Sequence, residues 1–187
     1  MAKRWDYEPD PIGDITNAMR WDYPQSAIDD WKKTQARLEE LSTSMPLKKI
    51  VSGCQVGADF AGLTAAKMLG LETGGYINKG CRRLDGFKPQ FVTEFGLTEL
   101  DDPYYPARTV ANVKNSDGTV RFATDFTTRG ERCTMNAIRR FNRPYLDIDL
   151  MLANGAPGAL ALFIQKHRIR TLNVAGNAIV EPGCRAN

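Results

Sequence analysis

The stretch Lys48-Lys49-Ile50-Val51-Ser52-Gly53-Cys54-Gln55-Val56-Gly57-Ala58-Asp59 decides the fold. Its apolar pair Ile50-Val51 is typical of the end of a buried strand, and the periodic segment 60–69 predicts a helix. Between them, Gly53 and Gly57 let the main chain approach a ligand closely and adopt positive φ. A strand, a glycine turn and a helix N-terminus together present backbone N–H groups to an anion. The spacing is neither G-x-G-x-x-G nor the P-loop pattern, so glycines that only relieve crowding are the alternative.

The composition fits one globular domain with a sizeable core. The chain has 187 residues, 42% hydrophobic and 25% charged. A net charge of +3 is too small to predict nucleic-acid binding. No apolar run reaches the length of a membrane span, and no signal-peptide segment is recognisable. Four cysteines without a C-x-x-C pair argue against a zinc site and a disulfide framework, so we expect a cytoplasmic protein without a metal site.

Residues 1–25 are predicted to form an extended aromatic arm. Arg4-Trp5-Asp6-Tyr7 recurs as Arg20-Trp21-Asp22-Tyr23, which is a single recurrence and not a repeat architecture. A partly ordered tail is the alternative. Because exposed aromatic side chains are costly in water, we expect the arm to be covered in a homo-oligomer, either a dimer or a tetramer. A helix is predicted to begin at Ser26, and residues 26–187 are predicted to form a single ligand-binding domain.

Strands and helices alternate along the remainder of the chain. Beyond the opening strand, strands are predicted at 73–77, 119–123, 144–148 and 171–175, and helices at 59–69, 107–114, 131–141 and 156–166. Residues 87–104 are expected to form a packed irregular loop that contains one helical turn. The alternation predicts an α/β fold, a Rossmann-like and mostly parallel sheet with helices on both faces. Ligands bind such sheets at the carboxyl ends of the strands, where the polar clusters 52–59, 78–86, 124–132 and 176–177 all fall.

These clusters resemble the molybdenum-cofactor-carrier-like proteins. Those proteins form the circularly permuted YpsA-like branch of the SLOG superfamily, a Rossmann-like group related to the LOG nucleotide phosphoribohydrolases and to DprA. The resemblance is carried, in order, by Ser52–Asp59, Thr73–Tyr76, Lys79-Gly80, Arg82, Asp85-Gly86, Arg108-Thr109, Asn112-Val113, Ser116–Thr119, Gly130, Arg132, Thr134 and Leu172–Gly176. It implies a site formed by Gly53, Cys54, Gln55, Gly57, Lys79, Arg82, Asp85, Arg108, Asn112, Asp117, Gly130, Glu131, Arg132, Thr134, Gly176 and Asn177.

Three positions depart from the family pattern. Val56 stands where the family has threonine, and Leu84 where it has an acidic residue. The pair Gly130-Glu131 replaces a glycine-threonine pair, which places a carboxylate where a hydroxyl would meet an anion. Such a carboxylate repels phosphate unless it is protonated or turned away. It could instead accept hydrogen bonds from ribose hydroxyls, as acidic residues do in dinucleotide sites.

Three functions stay open. The first is binding of a nucleotide or a nucleotide-like, phosphate-bearing ligand, such as an ADP-ribose-type signal or the molybdenum cofactor, which the protein would carry or sequester. The second is hydrolysis of a nucleotide N-glycosidic or phosphate bond, for which carboxylates are available at Asp59, Asp85, Asp117 and Glu131. The third is an oligomeric scaffold with a vestigial pocket. By the ordinary interpretation, Asp59 caps the helix that follows it.

Overall fold

The computed structural model describes residues 24–26, 28–30, 32–34, 36, 46–152 and 156–177. The boundary between two compact units lies between Ser44 and Met45. In the first unit, the described residues from Gln25 to Ala36 are helical, one residue earlier than the predicted start at Ser26. Residues 1–23 of the predicted aromatic arm lie outside the described residues.

The second unit is built on a parallel sheet. Its strands are β1 (Lys49–Val51), β2 (Glu72–Asn78), β5 (Leu97–Leu100), β6 (Gly118–Ala123), β7 (Tyr145–Asp149) and β8 (Thr171–Gly176). They lie in the order β5-β2-β1-β8-β6-β7, and every neighbouring pair is parallel. A small antiparallel hairpin, β3 (Arg82–Arg83) and β4 (Gly86–Phe87), stands apart from the sheet. The predicted Rossmann-like sheet is therefore confirmed.

Helices connect the parallel strands. They are α1 (Ala58–Met68), α2 (Gln90–Phe95), α3 (Tyr105–Lys114), α4 (Arg129–Phe141) and α5 (Ala156–His167). Parallel strands need crossover connections of this kind, and the helices bury the sheet that they cross. No helix among the described residues is long and apolar enough to cross a membrane.

One segment of the sheet differs from its prediction. Residues 87–104 were expected to form a packed loop with one helical turn. They contain helix α2, but also edge strand β5, which was not predicted. Strand β5 pairs with β2 from Gly75–Leu97 to Asn78–Leu100. The helix ends at Gly96, whose φ of 60° lies in the left-handed region that glycine adopts without strain. The strand then begins with Leu97, which is buried beside Phe95 and Ile77.

The largest part of the core is formed by apolar side chains from strands β1, β6, β7 and β8 and from helices α1 and α5. The largest buried cluster comprises Ile50, Ala66, Val120, Ile148, Phe163, Ile164, Ile169, Leu172 and Val174. Burying each of the larger of these side chains contributes roughly 2 kcal/mol to folding. Strand β8 lies between β1 and β6, so its Leu172 and Val174 join the two parts of the sheet. This arrangement fixes the positions of the strand ends that form the site.

Candidate functional site

A cleft of about 480 Å³ opens at the carboxyl ends of β1, β6 and β8. Strand order alone places it there, because these three strands are neighbours in the sheet although they are distant in sequence. The N-terminal ends of α1 and α4 lie at the same end of the sheet, where these strands finish. The cleft is lined by Gly53, Gln55, Asp59, Arg108, Thr109, Asn112, Thr124, Asp125, Thr128, Gly130, Glu131, Thr134, Asn173, Val174, Ala175, Gly176 and Asn177.

The glycine turn after β1 is held by the hairpin β3–β4. The Gln55 side-chain oxygen accepts hydrogen bonds from the backbone N–H groups of Leu84 (2.8 Å) and Val56 (3.0 Å). Arg83 donates from Nη1 to the Cys54 carbonyl oxygen at 3.0 Å. The same guanidinium pairs with Asp85 and lies over the rings of Phe60 and Phe91, with its Cζ 4.7 and 5.0 Å from their centroids. Arg83 thereby fixes the conformation of the turn.

Arg108 and Asp59 meet at the floor of the cleft beside Gly53. Arg108, on α3, is 8% exposed and donates from Nη1 to the Gly53 carbonyl oxygen. Its Nε is buried and finds no acceptor among the described residues. A Cβ at position 53 would lie 2.9 Å from Asp59 Oδ2 and 3.1 Å from Arg108 Cζ, so glycine permits this approach. Arg108 is therefore a largely buried cation at the cleft, and its Nε is closed to solvent as well as unpaired among the described residues.

Asp59 does not cap helix α1. Gly57 occupies the N-cap position without a side-chain hydrogen bond, and Asp59 lies in the first turn. Its Oδ2 accepts from the Gln55 N–H at 3.3 Å. Burial raises the pKa of the Asp59 carboxyl, and the nearby Arg108 guanidinium opposes that rise only in part. The fold therefore favours the protonated form of Asp59 relative to the unfolded chain.

Replacing Asp59 by asparagine is expected to change how stability depends on pH. The pKa of Asp59 is higher in the folded state than in the unfolded state, where it is about 3.9. The protonated carboxyl therefore stabilises the fold below the unfolded pKa, and this stabilisation is lost as pH rises through the folded pKa. Asparagine does not ionise, so Asp59→Asn does not lose this stabilisation. Its free energy of unfolding relative to wild type should rise by on the order of 1 kcal/mol between acidic and neutral pH. Urea unfolding from pH 4 to 8 measures the difference.

Asp85→Asn is the matched control, with the opposite sign. The hydrogen bond from Arg83 lowers the pKa of Asp85, so its contribution is present above the unfolded pKa and is lost as pH falls. Asp85→Asn should therefore be less stable than wild type at neutral pH and approach it in acid. Parallel pH curves for wild type and Asp59→Asn would contradict the assignment.

The N-terminus of α4 forms the opposite wall of the cleft. Thr128 caps the helix, and its Oγ1 accepts from the Glu131 N–H at 3.3 Å. The Glu131 side chain is only 4% exposed, and its Oε2 lies 3.2 Å from Arg121 Nη1 on β6. Arg121 also holds Asp147 of β7 through two bonds of 2.8 and 2.6 Å. The carboxylate that departs from the family pattern is thus bound by a buried arginine.

Burial changes the ionisation of the Glu131 carboxyl. It raises the pKa of the carboxyl, and the Asp59 and Asp147 charges raise it further, whereas Arg121 lowers it. Asp59 and Glu131 are thus two electrostatically coupled carboxylates in one cleft. Such pairs are the usual acid and base of hydrolytic sites.

The end of β8 closes the cleft. Asn177 Oδ1 accepts from the backbone N–H groups of Thr124 (2.8 Å) and Asp125 (3.1 Å), which ties this end to the loop after β6. At Gly176, a Cβ would overlap the Phe122 carbonyl oxygen and lie 2.8 Å from the Ala58 Cβ. Only glycine therefore lets β8, β6 and α1 come this close together.

Nine of the sixteen predicted site residues line the cleft. They are Gly53, Gln55, Arg108, Asn112, Gly130, Glu131, Thr134, Gly176 and Asn177. Gln55 and Asn112 line the cleft, whereas Arg82 and Arg132, which were predicted to belong to the same site, do not. Asn112 binds the main chain of β2, accepting from the Tyr76 N–H at 2.8 Å and donating to the Tyr76 carbonyl at 2.9 Å.

The other predicted residues lie elsewhere. Cys54 is buried, and its thiol pKa is raised by a hydrogen bond with Cys81 and by burial. Gly57 is the N-cap of α1, and Asp85 pairs with Arg83. Asp117 precedes β6 and therefore lies at the opposite edge of the sheet, where it accepts from the Arg170 and Thr171 N–H groups. The remaining members outside the lining are Lys79, Arg82 and Arg132.

Several lining residues were not predicted. They are Thr109, Thr124, Asp125, Thr128, Asn173, Val174 and Ala175. Asp59 also lines the cleft, and it was expected either to cap a helix or to be one of the carboxylates available for hydrolysis. Thr128 carries a sequence signal, because threonine three residues before Glu131 is the beginning of a capping box. Asn173 lies within a predicted strand and is buried, donating to Thr119 Oγ1 at 3.2 Å, which sequence periodicity does not reveal.

Comparisons with known proteins found similarity to a family and to a solved structure. The circularly permuted YpsA SLOG family matches residues 50–181. The chain is also similar to a crystal structure, at 1.45 Å resolution, of a protein from Syntrophus aciditrophicus SB named "Putative molybdenum carrier protein". The two share 31% identity over 71% of this chain and 84% of that one, with a TM-score of 0.66. No curated protein matches the chain.

Proposed function

Since the chain belongs to the circularly permuted YpsA family of the SLOG superfamily, we propose that it binds a nucleotide or nucleotide-like ligand bearing a phosphate. The ligand would occupy the cleft at the carboxyl ends of β1, β6 and β8. The name of the similar structure adds a molybdenum-bearing ligand to the candidates. The protein would carry or sequester this molecule.

The observation that carries the proposal is Arg108. It is the single arginine or lysine among the described residues that line the cleft. A phosphate oxygen is the partner that best matches the planar fork of guanidinium donors. The N-terminal end of α1 lies on the same side of the cleft, but Asp59 in its first turn reduces the attraction that the helix dipole would exert on an anion, so the cation that remains for a phosphate there is Arg108.

Replacing Arg108 by methionine is expected to weaken nucleotide binding at least about thirtyfold, since a buried charged hydrogen bond contributes about 2 kcal/mol or more. Isothermal titration with AMP, ADP-ribose and ATP measures the change. Arg139→Met, an exposed arginine in the last turn of α4, is the control and should bind as wild type does. Equal binding by Arg108→Met and wild type would refute the role of Arg108.

Identifying the natural ligand requires no assumption about its class. Freshly purified protein is denatured and the released small molecules are identified by mass spectrometry. Release of a phosphate-bearing compound supports the proposal. Protein that releases nothing and shows no thermal shift with nucleotides would instead behave as a scaffold with a vestigial pocket.

Hydrolysis is the second candidate function, and the pairing of Asp59 with Glu131 favours it. Both carboxyls line the cleft and both have raised pKa values, so one could donate a proton while the other activates water. Incubating the protein with AMP and following release of adenine or of phosphate separates this candidate from binding alone. Loss of product formation in Asp59→Asn would support hydrolysis, and an absence of product with wild type would exclude it for that nucleotide.

A further inference from the structure

The N-terminus of α4 opens on the cleft, but the protein supplies its own anion there. Helix N-termini attract phosphate through free N–H groups and a partial positive charge. Here Thr128 Oγ1 accepts the Glu131 N–H, and the carboxylate of Glu131 lies in the first turn. Both features reduce the attraction that this helix end would exert on a phosphate.

Arg121 is the cation beside Glu131, and all three of its guanidinium nitrogens donate hydrogen bonds. Nε and Nη2 bind the two oxygens of Asp147, and Nη1 binds Glu131 Oε2 and the Glu131 carbonyl oxygen. Two carboxylates around one guanidinium leave a net negative charge. Arg121 therefore orients Glu131 without providing a phosphate site.

The charges that line the cleft are mostly negative, and one of the carboxylates, Asp59, lies beside Arg108. Three carboxylates face the cleft, Asp59, Asp125 and Glu131, whereas Arg108 is the single arginine or lysine among the described lining residues. Arg108 lies beside Gly53, and Glu131 lies across the cleft at the start of α4. Glu131 Oε2 accepts from Arg121, which leaves Oε1 for a donor on a ligand.

We propose that the cleft selects ligands with a single phosphate, held at Arg108, and with sugar hydroxyls that donate to Glu131, and that it discriminates against polyphosphates. This specificity rests on the proposed function and deepens it. A triphosphate that reached across the cleft from Arg108 would meet the carboxylates of Glu131 and Asp125, and like charges in a partly buried site repel strongly. Sugar hydroxyls, in contrast, are natural donors to a fixed carboxylate.

The test is isothermal titration with AMP, ADP and ATP, and with the guanine series, at constant ionic strength and without divalent cations. Each monophosphate should bind at least tenfold more tightly than its triphosphate. 2′,3′-Dideoxy-AMP should bind at least fivefold more weakly than AMP, because it lacks the donors for Glu131.

Two variants show where the discrimination arises. Glu131→Gln and Asp125→Asn each remove one negative charge, and each should reduce the monophosphate-to-triphosphate ratio at least threefold. Asp125 is exposed, so its variant tests the charge effect even if Glu131→Gln does not fold. Asp117→Asn, at the opposite edge of the sheet, should keep the wild-type ratio.

Triphosphates that bind as tightly as monophosphates would overturn the inference while leaving the proposed function intact. So would an unchanged ratio in both charge variants. If no nucleotide in either series binds, the proposed function fails for these ligands and the specificity fails with it.

Discussion

Arg121→Met is expected to lower the free energy of unfolding by about 4 kcal/mol, the cost typical of removing one partner from a buried ion pair. Arg121 is 3% exposed, and the variant leaves Glu131, which is equally buried, without its cation. Asp147 is one-third exposed and suffers less, because water can solvate it. Urea unfolding at pH 7 measures the loss.

The double variant Arg121→Met/Glu131→Met tests whether the loss of stability comes from the unpaired charge of Glu131 or from lost packing of the Arg121 side chain. Replacing both partners by apolar side chains of similar length removes the unpaired charge, so stability should return to within about 1 kcal/mol of wild type. The single variant should also recover in acid, since protonation neutralises Glu131. A single variant as stable as wild type at pH 7 would show that Arg121 does not compensate the Glu131 charge.

Gly75→Ala is expected to destabilise the protein by about 4 kcal/mol, at the upper end of single substitutions. Gly75 lies in β2 with a φ of 129°, which disfavours any residue with a Cβ. The added Cβ would overlap the Ser52 carbonyl oxygen and lie 2.9 Å from Asn112 Oδ1. Backbone of the central sheet would have to move, and the hydrogen bonds between Asn112 and β2 would be strained.

Gly158→Ala provides the matched control. Gly158 lies in α5, and a Cβ there would meet no atom within 4 Å. Alanine has the higher helix propensity, so this variant should be as stable as wild type or up to about 1 kcal/mol more stable. Thermal or chemical unfolding of both glycine variants gives the comparison. Similar stabilities for the two variants would contradict the steric argument.

The order of strands and helices was predictable because most elements carry strong local signals. Apolar runs bounded by glycine or proline marked β1, β6, β7 and β8, and helical periodicity marked α1 and α4. The missed strand, β5, has only four residues, Leu97–Leu100, and alternates weakly. An edge strand is bonded on one side only, so its stability depends on β2 more than on its own sequence.

The site was predictable only in part, for a different reason. Loops that follow adjacent strands could be placed at one edge of the sheet, and Gln55, Arg108 and Asn112 do line the cleft. Arg121 could not be foreseen as the partner of Glu131, because the contact joins a strand to a helix ten residues later. Arg83 similarly lies in a basic loop, yet its guanidinium is occupied by Asp85, Cys54 and two aromatic rings.

The central position of β8 has a consequence for how the protein folds. Lys49 pairs with Thr171, so strands separated by more than a hundred residues must meet before the sheet is continuous. Until then, β5-β2-β1 and β6-β7 are two half-sheets without a shared strand. Pairing between strands so distant in sequence slows folding relative to local contacts. The ligand cleft, which β8 completes, requires both half-sheets to be joined, and a bound ligand would hold them together.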